Sequence, residues 1–167
     1  MATAKKVSPK SSGGQDAIAL LTADHREVKA LFDKYDKLAD TKAEASDRQA
    51  LAETICDMLT VHATVEEEIF YPAARKAIQD DDLLDEAQVE HAAAKDLIAQ
   101  IKDMEPDDGL YDAKVKVLGE QIDHHVEEEE GELFPEAKKS DMDLRELGAR
   151  MLARKTQLMA EFGESAA

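Results

Sequence analysis

Apolar residues recur along this chain at steps of three and four, the spacing that puts them on one face of a helix. The first such stripe runs Leu21, His25, Val28, Phe32, Tyr35 and predicts a helix from about Asp16 to Leu38. A polar connector, Thr41 to Ser46, follows. The second predicted helix covers about 47–79, with an inward face of Ile55, Met58 or Leu59, His62, Glu66, and Ile69 or Phe70. Pro72 cannot donate a backbone hydrogen bond, so a kink or an end is expected there. Asp80, Asp81 and Asp82 form a break and an acidic start for a third helix over 83–103, whose stripe is Leu84, Ala87, His91, Ala94 and Ile98. Pro106-Asp107-Asp108-Gly109 reads as a turn. A fourth helix over 110–134 carries Leu118, Ile122, His125, Glu129 and Leu133 inward, and Pro135 is expected to interrupt it. A fifth, over 141–162 with Ser140 as N-cap, turns Leu144, Leu147, Met151, Leu158 and Phe162 to one side. It carries no histidine, so its expected role is structural.

Long helices on short connectors predict an all-α fold: an antiparallel, up-down-up-down four-helix bundle with an additional C-terminal helix. The expected division is a flexible tail over 1–15, the bundle over 16–139, and the C-terminal helix and tail over 140–167. The tail is rich in Ser, Gly, Pro and Lys and has no apolar run behind its lysines, so it does not read as a secretory signal. No stretch approaches the roughly 20 apolar residues needed to span a bilayer. A cytoplasmic location is the expectation.

Charge narrows the partners. The formal net charge of −17 opposes a phosphate-binding surface, so neither nucleic acid nor an anionic membrane is an expected partner. Cys56 is the only cysteine, which excludes an intramolecular disulfide and a cysteine-rich zinc site. Its apolar neighbours Ile55, Met58 and Leu59 mark it as a packed thiol.

The chemistry lies in a repeat. His25 is followed by His62-x3-Glu66 and Pro72; His91 is followed by His125-x3-Glu129 and Pro135. In each copy the second His stands four residues before a Glu and ten before a Pro, and the two His-to-His gaps are 37 and 34 residues. One His-x3-Glu is an ordinary helical neighbour pair. Two, each with an upstream His about one hairpin away, describe two similar hairpins related by a pseudo-two-fold axis. His25, His62, His91 and His125 then supply four nitrogen donors, and Glu66 and Glu129 two anionic donors, each able to span two ions. A bundle core rarely accepts two carboxylates and four imidazoles unless something satisfies them. This mixed set suits iron, manganese or zinc. Protons compete for imidazole, so occupancy should fall between about pH 6 and 5.

The same residues resemble the hemerythrin-like proteins, the HHE cation-binding domain family, and its bacterial members most closely. The resemblance covers about Asp16 to Pro135. It rests on Asp24-His25, His62-x3-Glu66 with Glu67 and Tyr71-Pro72, Glu90-His91, and His125-x3-Glu129 with Glu130 and Phe134-Pro135. It implies two iron ions in an oxo- or hydroxo-bridged non-haem centre, ahead of manganese or zinc. His25, His62, His91 and His125 would be terminal ligands, and Glu66 and Glu129 would bridge. Binding of, or reaction with, small ligands such as O2, peroxide or NO is implied, in an oxidative-stress or redox response. The oxygen carriers that resemble this pattern have a further His four residues after the third-helix His, where this chain has Lys95. That favours redox turnover over reversible carriage and leaves room for another protein oxygen.

Three function classes remain in play. One is catalase-like, peroxidase-like or ferroxidase chemistry at the centre, the second iron storage or buffering, the third a helical interaction module with a structural His/Glu core. A monomer or weak homodimer is expected. His124 reads as peripheral. Glu67, Glu68, Glu127, Glu128, Glu130 and Glu132 read as a solvated face, and Tyr35 and Tyr71 as packing residues.

Overall fold

A computed structural model of the protein describes residues 14–165, so the tail expected over 1–15 falls almost wholly outside the described residues. Every regular element among the described residues is helical. Helix α1 spans Ala17–Asp40 and starts where the Asp16 carboxylate accepts from the Ala19 N–H at 2.8 Å. Helix α2 spans Ala45–Val65 and continues through a π-helical turn, Glu66–Phe70, into α3, Tyr71–Ala77. Helix α4, Asp81–Asp103, is capped by Asp80. Helix α5, Tyr111–Glu128, runs through a second π-helical turn, Glu129–Leu133, into α6, Phe134–Lys139. Helix α7 spans Leu144–Ser165. The rods α1, α2–α3, α4 and α5–α6 form the four-helix bundle, in which α1 touches α2 and α5, and α4 touches α5 and α2. Helix α7 lies against α1 and α2.

Neither proline ends its rod. A proline ring crowds the carbonyl four residues back and brings no N–H. Here the turn before each proline is widened by one residue, so that Tyr71 N–H bonds to Glu66 O and Phe134 N–H bonds to Glu129 O, five residues back. Pro72 and Pro135 then sit in the first turn of α3 and α6, where a missing donor costs nothing. The C-terminal helix also starts later than expected. Ser140 ends α6, and the side chain that caps α7 is Asp143, which accepts from Glu146 N–H at 3.1 Å.

Two apolar layers enclose a polar one. Toward one end lie Leu21, Val61, Phe70, Ala74, Leu84, Phe134 and, from α7, Leu147 and Met151. Toward the other lie Val28, Tyr35, Ile55, Leu59, Ile98, Val115 and Leu118. The stripe ambiguities resolve to Leu59 and Phe70. The far layer is closed by Tyr35, whose hydroxyl donates to Asp112 at 2.6 Å while Arg48 meets the same carboxylate at 2.7 Å. Cys56 is buried in that layer, and burial pushes its thiol up to about 11, which agrees with an inert packed side chain. Helix α7 approaches the start of α1 so closely that a Cβ on Gly148 would stand 2.5 Å from Gln15 O. Between the two layers, each helix of the bundle sends one histidine inward.

Candidate metal centre

All six residues singled out in the sequence meet in the polar layer. His25, His62, His91 and His125 are at most 9% exposed, Glu129 is 2% exposed and Glu66 fully buried. The repeat becomes geometry here. His25 and His62 face one another with ring centroids 4.9 Å apart, and His91 and His125 at 4.8 Å. Glu66 Oε1 lies 2.9 Å from His62 Nε2 and 3.5 Å from His91 Nε2. Glu129 reaches His125 Nε2 at 3.2 Å with Oε2 and His25 Nε2 at 3.3 Å with Oε1. Each carboxylate therefore touches both histidine pairs. Donor atoms of His25, His62 and Glu129 cluster within 4.8 Å of one another, and so do those of Glu66, His91 and His125.

Outer carboxylates aim the imidazoles. His62 Nδ1 lies 3.0 Å from Asp24 Oδ2, His125 Nδ1 3.0 Å from Glu90 Oε1, and His25 Nδ1 3.2 Å from Glu130 Oε1. His91 Nδ1 stands 3.8 Å from Glu67 Oε2. An ionised carboxylate only accepts, so Nδ1 of His62, His125 and His25 carries a hydrogen, which leaves their Nε2 atoms toward the centre, whereas His91 Nδ1 is buried without a hydrogen-bond partner. The pattern follows the repeat: the acid before each lone His serves the other histidine of that hairpin. The acid after each inward Glu lies toward the lone His of the other hairpin, Glu130 within hydrogen-bond range of His25 and Glu67 outside that range of His91. Glu130 stays exposed as expected while its carboxylate reaches His25, and Glu67 is half-buried between Lys95 and His91. The doubled motifs, acid-His and His-x3-Glu-Glu, were the available signal. Glu68 pairs instead with Arg154, and His124 is peripheral as expected, exposed beside Glu128 at 3.0 Å.

Tyr71 is the residue whose role sequence reasoning missed. Its hydroxyl donates to Glu129 Oε2 at 2.6 Å and lies 3.2 and 3.3 Å from His91 Nε2 and His125 Nε2. Its counterpart in the other half is Phe134, stacked on His25 at 5.9 Å. The two halves match in their inward histidines and glutamate but differ by one hydroxyl. Lys95, at the position where a further His was sought, turns outward to Glu67 at 2.5 Å.

The electrostatics are those of a site built around positive charge. Burial alone would push the His62 ring down, but Glu66, Asp24 and Glu129 raise it to about 10. For His125 burial also opposes the charge, and Glu129, Glu66 and Glu90 raise it to about 10. Burial disfavours the Glu66 anion, yet His62 and His91 hold its carboxyl well below the usual range. Burial and the two glutamate charges push the Tyr71 hydroxyl well above its ordinary value. His25 Nε2, His62 Nε2, both oxygens of Glu66 and Oε1 of Glu129 are buried without a hydrogen-bond partner. Buried acceptors left this way are costly in a dry core, and a cation between them satisfies them all at once. Above the histidines lies a largely apolar cavity of about 40 Å³, walled by Val28, Leu59, Ala94, Ile98 and Ile122.

A helical bundle with two carboxylates shared between two histidine pairs is a cation-binding arrangement. The chain belongs to the hemerythrin HHE cation binding domain family, which matches residues 16–137. In fold it is similar to a hemerythrin HHE cation binding domain-containing protein of Mycobacterium kansasii, known from its crystal structure. The TM-score is 0.73 and the identity 24%, over 88% of this chain and 89% of that one. It is also 32% identical over 123 residues to a DNA nickase of Nostoc sp. (strain PCC 7120), a match that covers 72% of this chain. This chain spans only 32% of the length of that curated relative.

Proposed function

We propose that the protein holds two metal ions, iron ahead of manganese or zinc, and that the pair binds or reacts with O2, peroxide or NO. The observation that carries this is the pair of buried carboxylates, Glu66 and Glu129, each in contact with a histidine of either half, with both oxygens of Glu66 and Oε1 of Glu129 left without a hydrogen-bond partner. Two divalent ions would bring four positive charges to a site with two inner carboxylates and four neutral imidazoles. His25 and His62 would hold one ion, His91 and His125 the other, and Glu66 and Glu129 both. When bound, such ions supply one-electron chemistry and Lewis acidity to a small ligand.

The chain's own residues would do the rest. Asp24, Glu90 and Glu130 orient the imidazoles of His62, His125 and His25, and the apolar walls of the cavity limit water while admitting a small uncharged molecule. Tyr71 Oη lies within 3.3 Å of both histidines of the second pair, so it would either give that ion a further oxygen donor or hold a proton beside it. No helix among the described residues is long and apolar enough to cross a membrane, and a cytoplasmic protein remains our reading. The nickase activity stays with the longer relative, since a net charge of −17 opposes a polyanion.

The test is metal analysis of untagged protein from iron-supplemented cells, with absorption spectra before and after peroxide. Two irons per chain with charge-transfer bands support the centre, and peroxide consumed over many turnovers supports an enzyme. Stoichiometric bleaching would leave binding or storage. No transition ion after anaerobic reconstitution would overturn the reading.

A further inference from the structure

The two halves of the centre follow one pattern, and α7 breaks the symmetry between them. Lys155, on α7, donates to Asp24 Oδ1 at 2.6 Å, across 131 residues of chain. The other oxygen of Asp24 holds His62 Nδ1 at 3.0 Å. Both side chains are sheltered, Lys155 at 29% exposure and Asp24 at 10%. Burial works against the Asp24 charge, but His62 and Lys155 hold its carboxyl below its ordinary value. The equivalent carboxylate of the other hairpin, Glu90, meets His125 and the exposed His124 and, among the described residues, no lysine or arginine. Glu130, behind His25, meets no lysine or arginine among the described residues either.

One other lysine approaches from behind. Lys95 bonds to Glu67, but it is 50% exposed, and Glu67 stands 3.8 Å from His91, beyond hydrogen-bond range. Water and salt screen that path far more than the Lys155–Asp24–His62 path.

We propose that Lys155 is a positioning and tuning residue of the metal centre: through Asp24 it lowers the donor strength of His62, so that the His25/His62 position binds a divalent ion more weakly than its surroundings would otherwise allow. This rests on the two-ion reading above. A cation beside Asp24 draws charge from the carboxylate and weakens its pull on the His62 N–H, and it also repels an ion at Nε2. Both effects have the same sign. The role first expected for α7, structural support, predicts the opposite consequence when the contact is lost.

That difference in sign is the test. Metal-free full-length protein is titrated with Co(II), which is redox-stable and visible by absorption, for the wild type and for Lys155→Met, Lys155→Gln, Lys155→Arg and Arg154→Gln. Arg154 is the neighbour that ties α7 to Glu68 at 2.7 and 3.1 Å and touches no part of the centre. The expected result is two Co(II) per chain throughout. Binding of one ion should tighten about tenfold in Lys155→Met and Lys155→Gln, with wild-type affinities in Lys155→Arg and Arg154→Gln. Weaker or unchanged binding in both neutral variants, loss of an ion, failure to fold, or an equal change in Arg154→Gln would overturn the proposal and leave α7 a structural support. Wild-type protein that takes up no Co(II) would instead overturn the two-ion reading, and this proposal with it.

Discussion

Tyr71 donates its hydroxyl to Glu129 at 2.6 Å, joining the start of α3 to the π-helical turn that precedes α6, 58 residues later. The bond crosses the centre between the two halves. It exists because the widened turn before Pro72 rotates Tyr71 toward the histidines. In an unbroken α-helix, position 71 would lie about 140° around from Glu66, and the five-residue turn brings it back toward the same side.

Removing that hydroxyl should therefore affect one ion. Tyr71→Phe makes the second half resemble the first, where Phe134 already occupies the matching place. The variant should fold and keep the first ion, with affinity for the second reduced about 10- to 100-fold. Titration with Co(II) or iron, followed by absorption, checks this. Equal weakening of both ions would mean that the hydroxyl acts on the bundle and not on one position.

The shared carboxylates should be indispensable to the pair. Glu66→Ala and Glu129→Ala should each reduce uptake below two ions per chain and remove the dinuclear spectrum, while Glu128→Ala, half-exposed beside His124, should keep both. Metal analysis distinguishes these outcomes. Equal loss in all three would contradict the burial of Glu66 and Glu129 and the register of their helices.

Metal-free protein should lose stability as the pH rises. His62 and His125 are raised from an ordinary 6.5 to about 10, so each binds its proton more tightly folded than unfolded. A raised group contributes fully below its unfolded value and loses that contribution as the pH climbs to the folded one. The window is therefore about pH 6.5 to 10. Thermal melts of metal-free protein should show a lower Tm at pH 9.5 than at pH 6.5, and metal-loaded protein should show less of this dependence. Loading near pH 7 should release protons, seen with an indicator in weak buffer. Competition between protons and metal then begins above the window of pH 6 to 5 expected from unperturbed imidazole. A Tm that rises with pH in metal-free protein would contradict these raised values.

Gly148→Ala should loosen α7. The new Cβ would stand 2.5 Å from Gln15 O and 2.8 Å from Ala17 N, and backbone atoms cannot yield as a flexible side chain can. Forced displacement of this kind costs about 1–3 kcal/mol. A lower Tm is expected, with two ions still bound, and an unchanged Tm would mean that the start of α1 moves freely.

The helices, their inward faces and the six converging side chains were legible in the sequence because each depends on near neighbours. A stripe such as Leu21, His25, Val28 records the 3.6-residue turn directly, and a His four residues before a Glu records one shared face. The doubled motif revealed the pseudo-symmetry for the same reason. What sequence reading mistook were places where the local rule changes or where distance along the chain is large. Pro72 and Pro135 signal a break, but whether the chain ends, kinks or widens its turn is decided by the packing that Phe70 and Phe134 gain in the core. Glu130 looks like any exposed acid until a histidine 105 residues away lies within reach. Lys155 has no local mark at all, since its meaning comes from α7 docking beside Asp24. By itself the sequence determined which residue types line each helix face. Only the tertiary structure decided which of them touch, because contacts across the bundle depend on helix positions that no local periodicity encodes.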